Sequence, residues 1–328
     1  MDCLRPTVRT SSSSLSSLLT PHSPMRIAQL AALGLATLSS IPASASDGVL
    51  EINQTCAIQT GCFAGDTPGL PVTINGSAGR SYRLTSDLVV ASAATNGIEI
   101  GADDVGIDLN NFAIRGPVVC SGTPLVCTPS GAGTGVDVTA ITISGTSVRN
   151  GSIQGMGSSG VSLAVQAEVT GVRARGNGLF GLEARDGSVL TGNVVYQNGS
   201  IGIEAGSGSV VSGNSAYQNG GDGIQVSLGA TVSGNTASRN GNDGINVGFG
   251  STISGNTSYD NDGSGIRTSN GSAVMGNSVR ANTGFGLVLG VSTGYLQNVI
   301  SGNTGGTVSG ASAVNLGDNA CNGSTVCP

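Results

Sequence analysis

The sequence predicts an all-β fold: a single-stranded, right-handed parallel β-helix, a solenoid with about 21 residues per turn. Three observations predict it. The blocks 189–209, 210–230, 231–251 and 252–272 are each 21 residues long and align without a gap. Their register extends from 147 to 293, so that Gly160, Gly181, Gly202, Gly223, Gly244, Gly265 and Gly286 fall in one column and Val161, Leu182, Ile203, Ile224, Ile245, Ile266 and Leu287 in the next. Inside a block the apolar residues alternate over short runs, as in Gly-Ile-x-Val, which is strand spacing. One block cannot bury its own apolar face, but stacked blocks can, each strand pairing with its copy one turn away at ~4.8 Å. A fixed period places like over like, which makes the strands parallel. Right-handed winding follows from the usual hand of parallel crossovers.

The segments divide in order. Residues 1–45 read as a leader whose secretory signal starts at Met25, with Arg26 as the positive end, Ile27 to Leu38 as the apolar run and Ala43-Ser44-Ala45 as the cleavage site. Residues 46–79 lack the period and are expected to cap the first turn. The coil is expected over 80–310, interrupted at 117–135 by a Pro/Gly-rich loop, and the tail 311–328 is expected to close the last strand, whose bare edge would otherwise invite pairing.

Composition removes whole classes of chemistry. Lys is absent, and the one His, His22, falls in the leader. Beyond residue 45 there remain 10 Arg against 18 Asp and Glu, a net charge of −8. That balance argues against nucleic-acid partners and anionic membranes, and no segment reaches the ~18–20 apolar residues of a spanning helix. A chain without His or Lys beyond the leader has no imidazole acid or base, no His metal ligand and no Lys nucleophile. An exported chain belongs in a periplasmic or extracellular compartment. Its six remaining cysteines fall into close pairs, Cys56/Cys62, Cys120/Cys127 and Cys321/Cys327, expected as local disulfides. A zinc site would need four thiolates, and the spacings do not suit one.

Two columns of asparagine run with the repeat. One contains Asn193, Asn214, Asn235, Asn256 and Asn277, with Asn298 in a degenerate repeat. The other contains Asn177, Asn198, Asn219, Asn240, Asn261, Asn282 and Asn303. Asn tolerates left-handed backbone at turns, and stacked copies can bond amide to amide. Both columns are expected to be structural.

The 21-residue G-N-x₄-N-G-x₂-G-I blocks resemble the right-handed parallel β-helix repeat family of the pectin-lyase-like fold. Upstream, Ser81-Tyr82-Arg83-Leu84, Gly97-Ile98-Glu99-Ile100 and Val105-Gly106-Ile107-Asp108-Leu109-Asn110 are similar to the first turns of its secreted bacterial members. The resemblance covers about 80–310 and is specific for fold. The family spans pectin-type lyases, glycosidases, epimerases and proteins without catalysis. The motifs Gly-His-Gly, Asn-Thr-Asp and Asp-Pro-His-Asp, which mark several of those enzymes, are missing here.

Three constellations remain as candidate sites. Glu183 and Glu204 share a column on adjacent turns, Asp222 and Asp243 share another, and Arg185 and Arg267 are expected on the same outward strands. The resemblance implies that such carboxylates hold Ca²⁺ against a uronate with Arg as base, and a close Glu pair also suits glycoside hydrolysis. Tyr196, Tyr217 and Tyr259 form an outward column with Arg175 and Arg280, and Gln197, Gln218 and Arg239 follow them, residue types suited to a saccharide platform. Gly221-Asp222-Gly223 and Asn242-Asp243-Gly244 resemble Ca²⁺-binding nonapeptide repeats in composition but not in period, leaving Ca²⁺ the one cofactor candidate. The expected function is an exported polysaccharide-binding protein or surface scaffold without established catalysis, with a polysaccharide lyase or glycoside hydrolase as one alternative and a purely structural or adhesive surface protein as another.

Overall fold

The computed structural model describes residues 48–76 and 80–327. The expected leader at 1–45 lies outside them. From Leu50 to Cys321 the chain winds as a right-handed parallel β-helix of about eleven turns. Each regular turn makes three short strands and three corners. In one central turn the strands are Val210–Ser212, Ser215–Tyr217 and Ile224–Val226. The first two build one 21-stranded sheet, bent where they meet, and the third builds a second sheet of 11 strands. Pairing to the next turn is parallel and in register, Val211 with Val232, Ala216 with Ala237, Ile224 with Ile245.

The corners explain why the period holds. Each one pairs a residue in the left-handed region with an inward polar residue after it: Gly208 then Ser209, Gly213 then Asn214, Gln218 then Asn219, with φ of +68°, +65° and +55° at the leading positions. The asparagines therefore do not themselves occupy the left-handed turn, as the sequence suggested. The residue before each one does, which frees the Asn to point into the coil. There the amides form two continuous ladders. Asn235 Oδ1 accepts from Asn214 N at 2.9 Å and from Asn214 Nδ2 at 3.0 Å. Its own Nδ2 donates to Asn256 Oδ1 at 3.0 Å and to Val211 O at 2.9 Å. The second ladder repeats the pattern through Asn198, Asn219 and Asn240. The first ladder runs one turn beyond Asn298, to Asn319, which accepts from Asn298 Nδ2 at 2.9 Å. A third ladder, of hydroxyls, lines the remaining corner, where Ser188 N donates to Ser209 Oγ and Ala230 N to Ser251 Oγ, both at 3.1 Å.

The repeated Gly before each Ile is required by this inner packing. A Cβ on Gly223 would sit 2.5 Å from Asn240 Nδ2 and 2.7 Å from Gly244 O. The remaining interior is apolar columns, Ile203–Ile224–Ile245, Val211–Val232–Ile253 and the narrow Val195–Ala216–Ala237, all buried. Small residues in the last column leave little apolar area to remove from water, so the ladders and continuous backbone pairing hold much of the coil.

Coil pairing reaches beyond the expected 80–310. Leu50–Ile52 pairs with Ser81–Leu84, Val72–Ile74 pairs with Ile98–Ile100, and Ala320–Cys321 pairs with Val299–Ser301. The segment 46–79 lacked a visible period because a short helix, Gln54–Gln59, interrupts its turn. Asn53 caps that helix by accepting from Cys56 N at 2.9 Å.

All three expected disulfides are present, Cys56–Cys62, Cys120–Cys127 and Cys321–Cys327. Cys62 and Cys327 differ from the other four in standing on no strand or helix. Cys62 follows the helix that carries Cys56, and the bridge draws this return segment, half-buried, against the core at the first turn. Its N–H donates to Asp66 Oδ2 at 2.8 Å, which fixes the loop from the other side. Cys327 lies beyond the last strand, whose Cys321 is buried, and the bridge folds the tail back so that Cys327 too is half-buried against the core. In the 117–135 segment, Val119–Ser121 and Val126–Thr128 form an antiparallel hairpin bridged by Cys120–Cys127. Both sulfurs lie 3.6–3.7 Å from Asn177 O, so the hairpin covers the corner between the Tyr-bearing strands and the second sheet. Among the described residues no helix is long and apolar enough to cross a membrane.

Two substitutions separate the roles of a corner's two residues. Asn235→Val leaves Asn214 N without its internal partner, takes one of two acceptors from Asn214 Nδ2 and removes the side-chain donor to Val211 O, and is expected to cost about 1–3 kcal/mol by thermal or chemical unfolding. Ala281 holds φ +57° in a column where Gly176 and Gly302 stand at either end, so Ala281→Gly is expected to raise stability by about 0.5–1 kcal/mol. Unchanged stability in Asn235→Val would remove the ladder from the account.

Candidate functional site

Two faces of the coil carry chemistry. The first is the outer face of the 11-stranded sheet. Its register stacks Glu99, Asp137, Ser162, Glu183, Glu204, Gln225, Asn246 and Arg267 in one polar column. Neighbours in this column are one strand spacing apart, ~4.8 Å. A cleft of about 440 Å³ opens on this face, lined by Glu183, Glu204, Arg185, Asp186 and Ser227, with Ile141 and Val165 at its edge. The expected pairing of Glu183 with Glu204 is therefore present. Arg185 joins them in the cleft, although it stands two positions beyond Glu183 and not in the column of Arg267. None of the six bridged cysteines lines this cleft: Cys56, Cys62, Cys321 and Cys327 sit at the two ends of the coil, and Cys120 and Cys127 on the hairpin.

Ser162, Asp137 and Glu99 extend the column upstream; Ser162 keeps the 21-residue spacing but carries no charge, whereas Glu99 and Asp137 escaped the sequence reading for another reason. The insertion at 117–135 breaks the 21-residue spacing, so only the structure aligns Glu99 with Asp137. Asn96 Nδ2 donates to Glu99 Oε1 at 2.9 Å, with Asp137 Oδ2 at 3.4 Å. Half-burial raises the carboxyl of Asp137 above the ordinary range. Burial also raises Glu183, against a hydrogen bond from Ser162 and the charge of Arg185, which lower it, while Asp137 adds to the rise. Glu204 is raised first by burial and then by Glu183 beside it, with Arg185 opposing. The cleft thus holds two carboxyl groups whose pKa burial raises, next to one guanidinium.

Asp222 and Asp243 do not belong to the exposed strip as expected. Both are buried, 3% and 2% exposed, and their oxygens are occupied from within. Asp222 Oδ1 accepts from Asp243 N at 2.9 Å and its Oδ2 from Asn246 Nδ2 at 3.0 Å. Asp243 Oδ1 accepts from Ser264 N at 2.6 Å, and its Oδ2 pairs with Arg267 Nε at 2.5 Å. Arg267 is held by this ion pair, and the two aspartates brace a corner. Among the described residues no group of three or more His, Cys, Asp or Glu is arranged to hold a metal ion.

The second face lies on the 21-stranded sheet. Register places Gln154, Arg175, Tyr196, Tyr217, Ser238, Tyr259 and Arg280 in one outward column. Tyr196 and Tyr217 are half-buried and stacked, with centroids 4.8 Å apart and planes 3° from parallel. Their facing surfaces are therefore covered by each other. Ser238 separates them from Tyr259, which packs with the guanidinium of Arg280 at 5.2 Å and that of Arg239 at 5.6 Å. Arg239 also pairs with Asp260 at 3.2 Å. The outward Tyr column thus consists of a stacked pair and a separate arginine-flanked ring, with Ser238 between them.

This geometry is that of a right-handed parallel β-helix repeat protein. The family described as right handed beta helix region matches residues 134–248. Among solved structures, the chain is similar to the periplasmic alginate epimerase AlgG, at 17% identity and a TM-score of 0.56, over 81% of this chain and 82% of that one. It is also similar to the Dettilon tailspike protein, at 13% identity and a TM-score of 0.55, over 80% of this chain and 70% of that one. A third is the catalytic domain of a GH87 alpha-1,3-glucanase, at 11% identity and a TM-score of 0.50, over 83% of this chain and 63% of that one. At these identities the likeness is one of fold. No curated protein sequence matches the chain.

The raised carboxyls fix a sign for pH dependence. A carboxyl whose folded pKa exceeds its unfolded value stabilises the fold below the unfolded value, near 4.5, and that contribution is lost as pH rises through the folded one. Glu204→Gln removes the group and the repulsion from Glu183. Relative to wild type, the variant is expected to gain melting temperature progressively between about pH 4 and pH 7. A difference independent of pH would contradict the burial of these groups.

Proposed function

We propose that the chain is an exported polysaccharide-binding β-helix whose contact surface is the acidic face of the 11-stranded sheet. The observation that carries the reading is the cleft in which Glu183, Glu204 and Arg185 stand together above a straight polar column. A sheet face with one outward polar side chain every turn suits an extended polymer lying along the coil axis. The half-buried carboxylates can accept from sugar hydroxyls, and the guanidinium of Arg185 beside them can donate. Gln225 and Asn246 continue the same capacity along the column. The three disulfides fit an oxidising compartment, periplasmic or extracellular. Two of the structural neighbours are an alginate epimerase and an alpha-1,3-glucanase, which accords with this partner class.

One observation favours a second reading, a polysaccharide lyase or glycoside hydrolase. Glu204 has a raised pKa and a second carboxyl one turn away, which is the equipment of a general acid with a base or nucleophile. A glycan array with parallel assays for new reducing ends and unsaturated uronates distinguishes the readings. Glycan binding without turnover, lost in Glu183→Gln/Glu204→Gln, is the expected result. Turnover that falls at least ~100-fold in Glu204→Gln would establish the enzyme instead. Neither binding nor turnover would leave a structural surface scaffold.

A further inference from the structure

The molecule is acidic, yet one patch on its second face is cationic and uncompensated. Six of the ten arginines beyond the leader pair with a carboxylate: Arg80, Arg83, Arg115, Arg149, Arg239 and Arg267. Arg280 packs against Tyr259, and Arg185 stands among the carboxylates of the cleft. Among the described residues, Arg173 and Arg175 have no ion pair and no stacked ring. Both are exposed and project from the same side of one strand, Glu168–Arg175. The register explains their isolation. Arg173 lies between Ser152 and Val194, and Arg175 between Gln154 and Tyr196, so neither neighbouring turn supplies an acid.

The surroundings of the pair are built for a ligand of modest width. A groove of about 280 Å³ runs along the bend of the sheet beside Arg173, floored by Gly151, Gly171 and Gly192 and edged by Asn111 and Ser152. A side chain at Gly192 would meet nothing within 4 Å, and one at Gly171 only the far end of Asn150 at 3.5 Å, so the groove is open above its floor. On the next two turns the stacked Tyr196 and Tyr217 continue the arginine column. Charges of Arg173 and Arg175 reach the phenol of Tyr217 and partly offset the rise that burial imposes on it.

We propose that Arg173 and Arg175, with the groove and the Tyr196–Tyr217 pair, form a second glycan-binding site that recognises the carboxylate of an acidic polysaccharide. The guanidinium fork matches a carboxylate in two parallel hydrogen bonds, and the adjoining aromatic pair offers apolar surface to the sugar ring. Two cations are too few for a nucleic acid, whose binding rests on many phosphate contacts, and the rest of the surface repels a polyanion. That repulsion confines an acidic chain to this patch and away from the column of Glu99, Asp137, Glu183 and Glu204. The proposal rests on the preceding reading only for the class of polymer, since the two sites occupy different sheets.

Isothermal titration of the intact protein with polygalacturonate and with neutral dextran tests it. Wild type is expected to bind polygalacturonate, more weakly as salt rises from about 0.05 M to about 0.5 M. Arg173→Gln/Arg175→Gln is expected to weaken that binding at least ~10-fold, and Arg173→Lys/Arg175→Lys to weaken it less. Glu183→Gln/Glu204→Gln is expected to leave it intact or tighten it. Equal affinity in the Arg173→Gln/Arg175→Gln protein, or no binding of polygalacturonate to wild type, would overturn the proposal. Salt-sensitive self-association lost in both double variants would also overturn it, by assigning the patch to the acidic face of a second copy. Loss of dextran binding in Glu183→Gln/Glu204→Gln bears on the acidic face alone, so the two readings fail separately.

Discussion

The fold depends on the inward amides at two of the three corners of each turn. A turn of this coil contributes few large apolar side chains, and at Ala216 and Ala237 the interior is lined by single methyl groups. What stops the chain from opening is that the corner side chains are satisfied chiefly by their copies and by main chain on adjacent turns. Asn214 receives nothing useful from its own turn. Its oxygen takes two donors from Asn193, and its nitrogen gives to Asn235 and to Leu190 O. Removing water from such groups is tolerable only when every bond is made. The ladder is therefore cooperative along the axis: one turn in place makes the next one favourable. The Gly column that precedes each inner Ile is the steric condition for it, because a Cβ there would collide with the Asn amide.

This constraint also frees the outside. With the interior fixed by corners and apolar columns, an outward strand position can change without disturbing its neighbours' backbone. One sheet can then carry Glu99, Asp137, Glu183 and Glu204 while another carries Arg173, Arg175 and stacked tyrosines. Like charges on adjacent turns of the acidic face oppose one another: burial raises the pKa of Glu204, and Glu183 beside it adds to the rise. The rigid coil holds them together nonetheless. Such opposition is what a loose surface would relax by moving a side chain away, and its persistence in a cleft is the physical basis for reading the face as a contact surface.

How much of this was legible in the sequence follows from where the period survives. Between 147 and 293 every strand, the Asn columns and the Glu183–Glu204 pairing could be read directly, because register in a solenoid is sequence spacing. Before 147 the bridged hairpin breaks the spacing, so Glu99 and Asp137 could not be aligned with the column they extend. The helix Gln54–Gln59 likewise hid the first turn. The cysteine pairs were legible from proximity alone, but not that Cys62 and Cys327 would lie off the strands and pin the two ends of the chain to the core. Inward and outward positions could be told apart within strands but not at corners, which is why Asp222 and Asp243 read as surface acids although Asn246 and Arg267 hold them from beside. Isolation of a charge is invisible in sequence, and Arg173 could be distinguished from Arg149 only once Asp108 was seen beside the latter.

The central claim, that the corner amides bind turn to turn and open only with the whole coil, has a direct test in hydrogen exchange of the side-chain amides. In protein labelled with ¹⁵N at asparagine, the Nδ2 protons of Asn198, Asn219, Asn235 and Asn256 are expected to persist in deuterated water as long as the most protected backbone amides, since both sets would exchange only through global unfolding. Exchange of these side-chain protons within minutes, while backbone amides of the same turns stay protected, would contradict the account.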